Sequence, residues 1–533
     1  MPSSTGAPSR ATRSETPGPV RRPRPHDPTV DAAAPAACRC RAARPLPFRC
    51  LGALALGVLA AACQSYERRP LDLEDHLALM SSARPDPAAL TTFVERLAED
   101  GHDVPERFDL ADGLTAAEAE VLALFYNPDL RLARLEVDVA LAGREHAGVW
   151  EDPIFGFDAA QVLSPGSLLE YGLTLGVTLP LSGRLGVLED LADARVEAQL
   201  RAVVDAEWRL RLELRRAWTA WSVARERAQL VEQIVEQLRG VATVTERLVA
   251  AGELSRIQGR LVPLALLERE LQSINLVAAA DRRRIDVLAL LGLAPGVALE
   301  LLPELRQQPA TFDAGAGETG VLLARNTRVA LARARYRTAE EALRLEIRAQ
   351  YPDLGLAAGY GDEDDRRFLL GLTLPIPLWN RNRAAIATAR AERELARAVA
   401  ETEAERALVE LALARTRLTA ARSARERLVA EALPALDAQM EEAARLVEFG
   451  EVDVFALLET ATRRYELHAS LLDQVFEEAE AAATIVELLG PVPDGGRSGD
   501  RLDDPADDRP TVDIDDESNH TTDDRTGDAP NAR

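Results

Sequence analysis

Few side chains in this 533-residue chain are equipped for covalent or redox chemistry, and their placement narrows the field further. There is no lysine: all 63 basic residues are arginine, which removes Schiff-base chemistry and a lysine-bearing phosphate loop together. The four cysteines, Cys38, Cys40, Cys50 and Cys63, fall in the first 63 residues, so they do not frame a disulfide-rich domain. Cys38-Arg39-Cys40 is too tightly spaced for a zinc knuckle and has no partner pair. His102, His146 and His468 are scattered, and no metal or cofactor site is expected. There is no nucleophile elbow and no metal triad, so no enzymatic reaction has a motif behind it. What remains is acidic: 87 Asp and Glu stand against 63 Arg.

Cys63 has its own context. Arg41, Arg44 and Arg49 precede the apolar run Leu51–Ala62. That run is too short for a membrane helix but suits a signal-peptide core. Leu59-Ala60-Ala61-Ala62-Cys63 resembles a bacterial lipobox, with the leucine one place further from the cysteine than the usual pattern. It implies that Cys63 carries the lipid and becomes the first residue of the mature chain; a plain signal peptide with an incidental cysteine is the alternative. Gln64 follows rather than Asp, which by the same resemblance argues against retention at the inner membrane. Residues 1–62 are thus expected to be a disordered leader and signal peptide, and 63–114 a lipidated arm with a short helix near Ala88–Asp100.

The elements that must position the acidic residues are written twice. Tyr171–Pro180 is echoed by Phe368–Pro375, Pro153 by Pro352, Ala251-Gly252-Glu253 by Phe449-Gly450-Glu451, and Leu290–Gly292 by Leu488–Gly490, about 200 residues on. The first repeat spans 115–292, a linker 293–320 and the second repeat 321–490; an acidic tail, 491–533, has almost no large apolar side chains and is expected to be disordered. Each repeat predicts helix, strand, strand, a very long helix, a glycine turn and a returning helix. Thr115 and Glu118 are spaced as a capping box, and Asn127-Pro128 predicts a kink or restart. Gly183–Ala251 is an almost unbroken helical pattern of roughly 100 Å, as is Arg383–Phe449, with Pro263 and Pro434 expected to bend the helices that hold them. The returning helix and a single helix over Val321–Arg348 are expected to stack end to end. Trp208, Trp218 and Trp221 are expected to pack, and Asn380 to cap the helix that follows it.

Strands are predicted at Ile154–Val162, Leu169–Leu179, Asp353–Gly361 and Arg367–Ile376. In the second, Tyr171, Leu173, Leu175, Val177 and Leu179 alternate with Gly172, Thr174, Gly176 and Thr178, giving one greasy and one small, polar face. About ten residues is the length that crosses a bilayer when tilted. Four strands cannot close a barrel, and every edge in a membrane must be paired, so the fold needs several copies. The formal net charge of −24 makes nucleic acid an unsuitable partner.

This tandem unit resembles the TolC-like outer membrane factors, the bacterial outer-membrane efflux proteins, over about residues 115–490. Pro375-Ile-Pro-Leu-Trp-Asn-Arg-Asn-Arg383 looks like the strand-to-helix junction of the heavy-metal branch. The resemblance implies an α+β homotrimer: long helical hairpins form an α-barrel, and each chain gives four strands to an outer-membrane β-barrel of about 12. It implies a lipid-anchored exit duct passing substrate, heavy-metal cations among the candidates, from an inner-membrane pump and a periplasmic adaptor. By position it places Gly252, Glu253, Leu254 and Ser255, with Gly450, Glu451, Val452 and Asp453, at adaptor-docking tips; simple helix ends are the alternative. Glu459 and Asp453 become gate candidates, since carboxylates around a three-fold axis would select cations. Ala456 stands where the family carries another acid, and an exposed helix carboxylate is the competing reading of Glu459. Two functional alternatives stay open: a non-conducting, periplasm-spanning structural lipoprotein, and a duct for drugs or secreted polypeptides.

Overall fold

A computed structural model describes residues 66–82, 84–99, 104–105, 107–161, 169–305, 318–363, 365–448 and 454–491. The leader, Cys63, the first hairpin turn, the reversal Gly450–Asp453 and the acidic tail from residue 492 lie outside them. The chain divides into Met1–Asp72, of which residues 66–72 are described and exposed, and Leu73–Arg533. The second unit opens with α1 (Leu73–Ser82), α2 (Pro87–Glu99), α3 (Ala116–Tyr126) and α4 (Pro128–Glu145). Strands β1 (Ile154–Gln161) and β2 (Leu169–Leu179) lead into α5 (Arg184–Ala251) and its return, α6 (Leu261–Leu290). The second repeat gives α7 (Glu318–Arg325), α8 (Thr327–Arg348), β3 (Leu354–Glu363), β4 (Asp365–Thr373), α9 (Arg383–Arg427), α10 (Leu433–Glu448) and α11 (Val454–Leu489).

Helix starts follow local chemistry. The Thr115 hydroxyl accepts from the Glu118 N–H at 3.3 Å while Glu118 accepts the Thr115 N–H at 3.0 Å, the capping box its spacing predicts. Asn127 ends α3 and starts α4: its Oδ1 accepts the Leu130 N–H at 3.0 Å and its Nδ2 donates to the Leu290 carbonyl at 2.9 Å. One buried amide thus caps a helix and joins its start to the end of the returning α6.

The second repeat does the same. Asn326 accepts the Val329 N–H at 3.0 Å and donates to the Leu488 carbonyl at 2.9 Å, so Val321–Arg348 is two helices, not one. Arg325-Asn326-Thr327 carries no proline, and tertiary hydrogen bonds rather than propensity make the break. The end-to-end joins lie within each repeat, α6 against α4 and α11 against α8. Beside them stand Gly292 and Gly490 in the left-handed region, φ +69° and +70°. A Cβ on Gly292 would lie 2.3 Å from the Tyr126 carbonyl oxygen, and one on Gly490 2.1 Å from that of Arg325. Only glycine fits where these backbones cross.

The core gathers around the joins. Leu90, Leu122, Leu130, Leu214, Trp218, Leu288 and Leu291 surround the first, and Leu293 and Leu301 bring the start of the linker into the same cluster. Leu322, Ala407, Leu411, Ile485 and Leu488 surround the second. Helix α5 packs with α4 and α6 and also with α8 and α11, which in turn contact α9. Pro263 sits in the first turn of α6, where its missing N–H costs no helical bond, so it opens the helix rather than interrupting it. Pro434 does interrupt: a π turn over Leu428–Ala432 separates α9 from α10 just before it. Asn382, not Asn380, precedes α9; Arg381 and Asn382 both take positive φ, and the Asn382 amide donates to the Glu346 carbonyl at 2.9 Å.

Candidate functional site

The strands form one antiparallel sheet in the order β1-β2-β3-β4. Its register sets Phe157, Leu173, Tyr360 and Phe368 in one rung and Phe155, Leu175, Ala358 and Leu370 in the next. These rungs share a face, with Leu370 79% exposed and Phe155 67%. The opposite face carries Gly156, Thr174, Gly359 and the exposed Leu369, then Asp158, Gly172, Gly361 and Arg367. A monomer in water has no use for so large a bare apolar face, and a lipid-facing sheet requires one. The charged segment that joins the two predicted strands of the second repeat is drawn into the ladder as far as the pair Glu363 and Asp365. Strands β1 and β4 each have one partner strand among the described residues. No helix there is long and apolar enough to cross a membrane.

At the base of the sheet Arg184, the first residue of α5, pairs with Glu151 at 2.7 Å and Asp353 at 2.9 Å. One guanidinium so ties the helix start to the entry points of β1 and β3. At the far end of α5, Gly252 (φ +80°) closes the helix: its N–H and that of Glu253 donate to the Val249 and Leu248 carbonyls at 3.1 and 2.9 Å. Ser255 and Gln258 then form a second reciprocal cap, at 3.2 and 3.1 Å, that launches the return. Gly259 lets the returning chain cross Val249, whose Cγ2 would lie 2.4 Å from a Cβ there. The tip is therefore a hydrogen-bonded reversal with Glu253 and Ile257 exposed. Of its counterpart, Gly450, Glu451, Val452 and Asp453 lie outside the described residues.

Glu459, on α11, is exposed and pairs with Arg463 at 2.7 Å. Its neighbour Thr460 is buried and accepts from the Gln439 amide at 3.2 Å, which joins α10 to α11. Glu459 and Glu253 are on different hairpins, and no contact joins them. Trp218 and Trp221 are buried edge to face at 5.6 Å, and Trp218 donates to the Leu302 carbonyl at 3.1 Å, so both pack. Among the described residues no group of His, Cys, Asp or Glu could hold a metal ion.

A polar knot between the two hairpins has no local signal in the sequence. Tyr465 of α11 is buried, its hydroxyl accepts the Gln272 amide at 2.7 Å, and Arg269 lies 4.8 Å from its ring centroid. Arg227 of α5 pairs nearby with Asp473. Burial pushes the Tyr465 phenol above its ordinary pKa and draws the Arg227 guanidinium below its own. These residues meet from helices far apart in the chain. Tyr465→Phe is expected to lower unfolding stability by about 1 kcal/mol, measured by denaturant titration in detergent. No change would show that the hydroxyl contributes nothing.

Residues 121–293 match the family model described as outer membrane efflux protein. The cobalt-zinc-cadmium resistance protein CzcC of Cupriavidus metallidurans is 22% identical over 324 residues, 59% of this chain and 76% of that protein. The solved structure of CusC superposes with a TM-score of 0.61 at 17% identity, covering 73% of this chain and 96% of that one. The outer-membrane channel OprN superposes at 0.62 and 22% identity, covering 72% and 93%. The superpositions show a shared fold. With the helix–strand–strand–helix unit present in both halves and the match across the first of them, the chain is similar to the outer membrane efflux proteins over residues 121–293 and shares the fold of these channels.

Proposed function

We propose that this chain is the outer-membrane exit duct of a tripartite efflux system. The observation that carries it is the sheet: bare and apolar on one face, glycine- and threonine-lined on the other, open at both edges, and continued by helices of roughly 100 Å. Three copies would close β4 of one onto β1 of the next, which satisfies every edge in lipid. A structural scaffold without a pore has no need of such a sheet. Heavy-metal cations are the proposed cargo, on the similarity to CzcC. Cys63 would carry the lipid anchor, and the tips Gly252–Ser255 and Gly450–Asp453 would dock the periplasmic adaptor of the pump. The duct does no chemistry; energy comes from the inner-membrane partner.

Glu459 and Asp453 are the proposed cation-attracting ring, and the Glu459–Arg463 pair would open as the ring widens. The test is planar-bilayer conductance of the purified protein, with and without Glu459→Ala. A cation-selective channel whose conductance rises in the variant supports duct and ring together. Unchanged conductance removes Glu459 from the ring. Folded, trimeric protein that never conducts overturns the duct.

A further inference from the structure

The two repeats differ in one respect that a shared fold does not require. On α8, Arg337 pairs with Glu197 at 3.3 Å and Arg344 with Asp190 at 3.7 Å, both acids lying on α5. The two arginines are one heptad apart, as are the two acids, so they meet along facing stripes of antiparallel helices. The common Asn cap aligns α4 with α8 residue by residue, Asn127 on Asn326. At the positions of Arg337 and Arg344, α4 carries Asp138 and Glu145. The charge is reversed at both.

Burial says that this stripe of α4 is uncovered. Leu331 and Ala334 on α8 are 8% and 3% exposed, whereas their counterparts on α4, Leu132 and Leu135, are 57% and 52% exposed. Asp138 and Glu145 are exposed and have no ion-pair partner among the described residues. Contacts run from α4 and α6 through α5 to α8 and α11 and then α9, so α4 stands at one end of the row and α9 at the other. Near its start α9 presents Arg390 and Arg397, one heptad apart and exposed; among the described residues Arg397 bonds Glu401 on its own helix, at 2.9 Å. Leu395 and Val399 beside them are also exposed.

We propose that Glu145 and Asp138 of one copy pair with Arg390 and Arg397 of a second copy, so that α4 docks on α9 with the polarity opposite to the α8–α5 junction inside the chain. This rests on the duct reading, which needs several copies, and adds what selects their order. Exposed ion pairs contribute little to stability one by one. Their effect is on choice: α4 docked wrongly on the α5 of another copy would set Asp138 against Glu197 and Glu145 against Asp190, acid on acid.

The test uses the full chain in detergent. Asp138→Arg with Glu145→Arg is expected to raise the trimer dissociation constant roughly tenfold or more, measured by mass photometry on dilution. Adding Arg390→Glu and Arg397→Glu is expected to restore it. In the mature chain, whose one native cysteine, Cys63, would be blocked by the lipid, Asp138→Cys with Arg397→Cys is expected to link chains, giving two- and three-chain bands without reductant, with the single Asp138→Cys variant as the control. Glu197→Cys with Arg337→Cys is expected to link within one chain and leave its mass unchanged. A trimer that conducts yet tolerates the reversal and links no chains overturns the pairing and leaves the duct intact. Folded wild-type protein that stays monomeric at every concentration overturns the duct as well.

Discussion

Gly490→Ala is expected to cost roughly 4 kcal/mol or more of stability, enough to prevent accumulation of folded protein. The reasoning is steric. Residue 490 sits at φ +70°, where any side chain is strained, and its Cβ would lie 2.1 Å from the Arg325 carbonyl oxygen and 2.7 Å from its carbon. Backbone cannot rotate out of the way as a side-chain end can, so α11 would have to lift from the start of α8. That movement breaks the Asn326 hydrogen bond to Leu488 and leaves the buried amide and carbonyl unpaired. Gly292→Ala should behave alike in the first repeat. Gly252→Ala is the control: its φ is +80°, but nothing lies within 4 Å of its Cβ, so strain alone applies, about 1–2 kcal/mol. Denaturant midpoints in detergent compare the three. Equal losses at 252 and 490 would mean that the crossing is looser than its geometry states.

Trp218→Ala carries the next largest effect, an expected loss of roughly 3–5 kcal/mol. The indole is 1% exposed, meets Trp221 edge to face and donates to Leu302, holding the start of the inter-repeat linker against α5. Trp218→Phe separates the two contributions. It keeps much of the packing but strands the Leu302 carbonyl, and should lose about 1–3 kcal/mol. If phenylalanine proves as harmful as alanine, the hydrogen bond rather than the packing holds the linker.

Both effects act on joins that were unequally visible in the sequence. Alternation of large and small residues marked the strands, because period two survives any environment, and Leu169–Leu179 has those bounds in the structure. Helical periodicity gave the long helix to Ala251. Asn127 announced its break through Pro128; Asn326 does the same work beside threonine and was invisible, since the partner that defines it is the Leu488 carbonyl, 162 residues away. Pro263 misled in the other direction, for a proline in a first helical turn and one in mid-helix look alike until the helix start is known. Tyr465 and Gln272 could not be paired from the sequence, because neither has a local signature and they lie 193 residues apart. At the candidate tips, Gly252 was legible as a reversal, whereas the cap of Ser255 by Gln258 was not singled out although its spacing is a known helix start.

The reversed charges on α4 and α8 bear on how such a chain came to exist. A protein of one repeat would complete the proposed ring with six identical copies, each presenting the same two flanks to its neighbours. Such a ring has a single kind of seam, and no substitution can alter one seam without altering all. Tandem duplication with fusion removes that constraint, because alternate seams are thereafter encoded by separate residues. Arg337 and Asp138, on the aligned stripes of α8 and α4, are what divergence after fusion would leave. Halves expressed as two separate chains should therefore assemble alternately with each other, whereas neither half alone should close a ring.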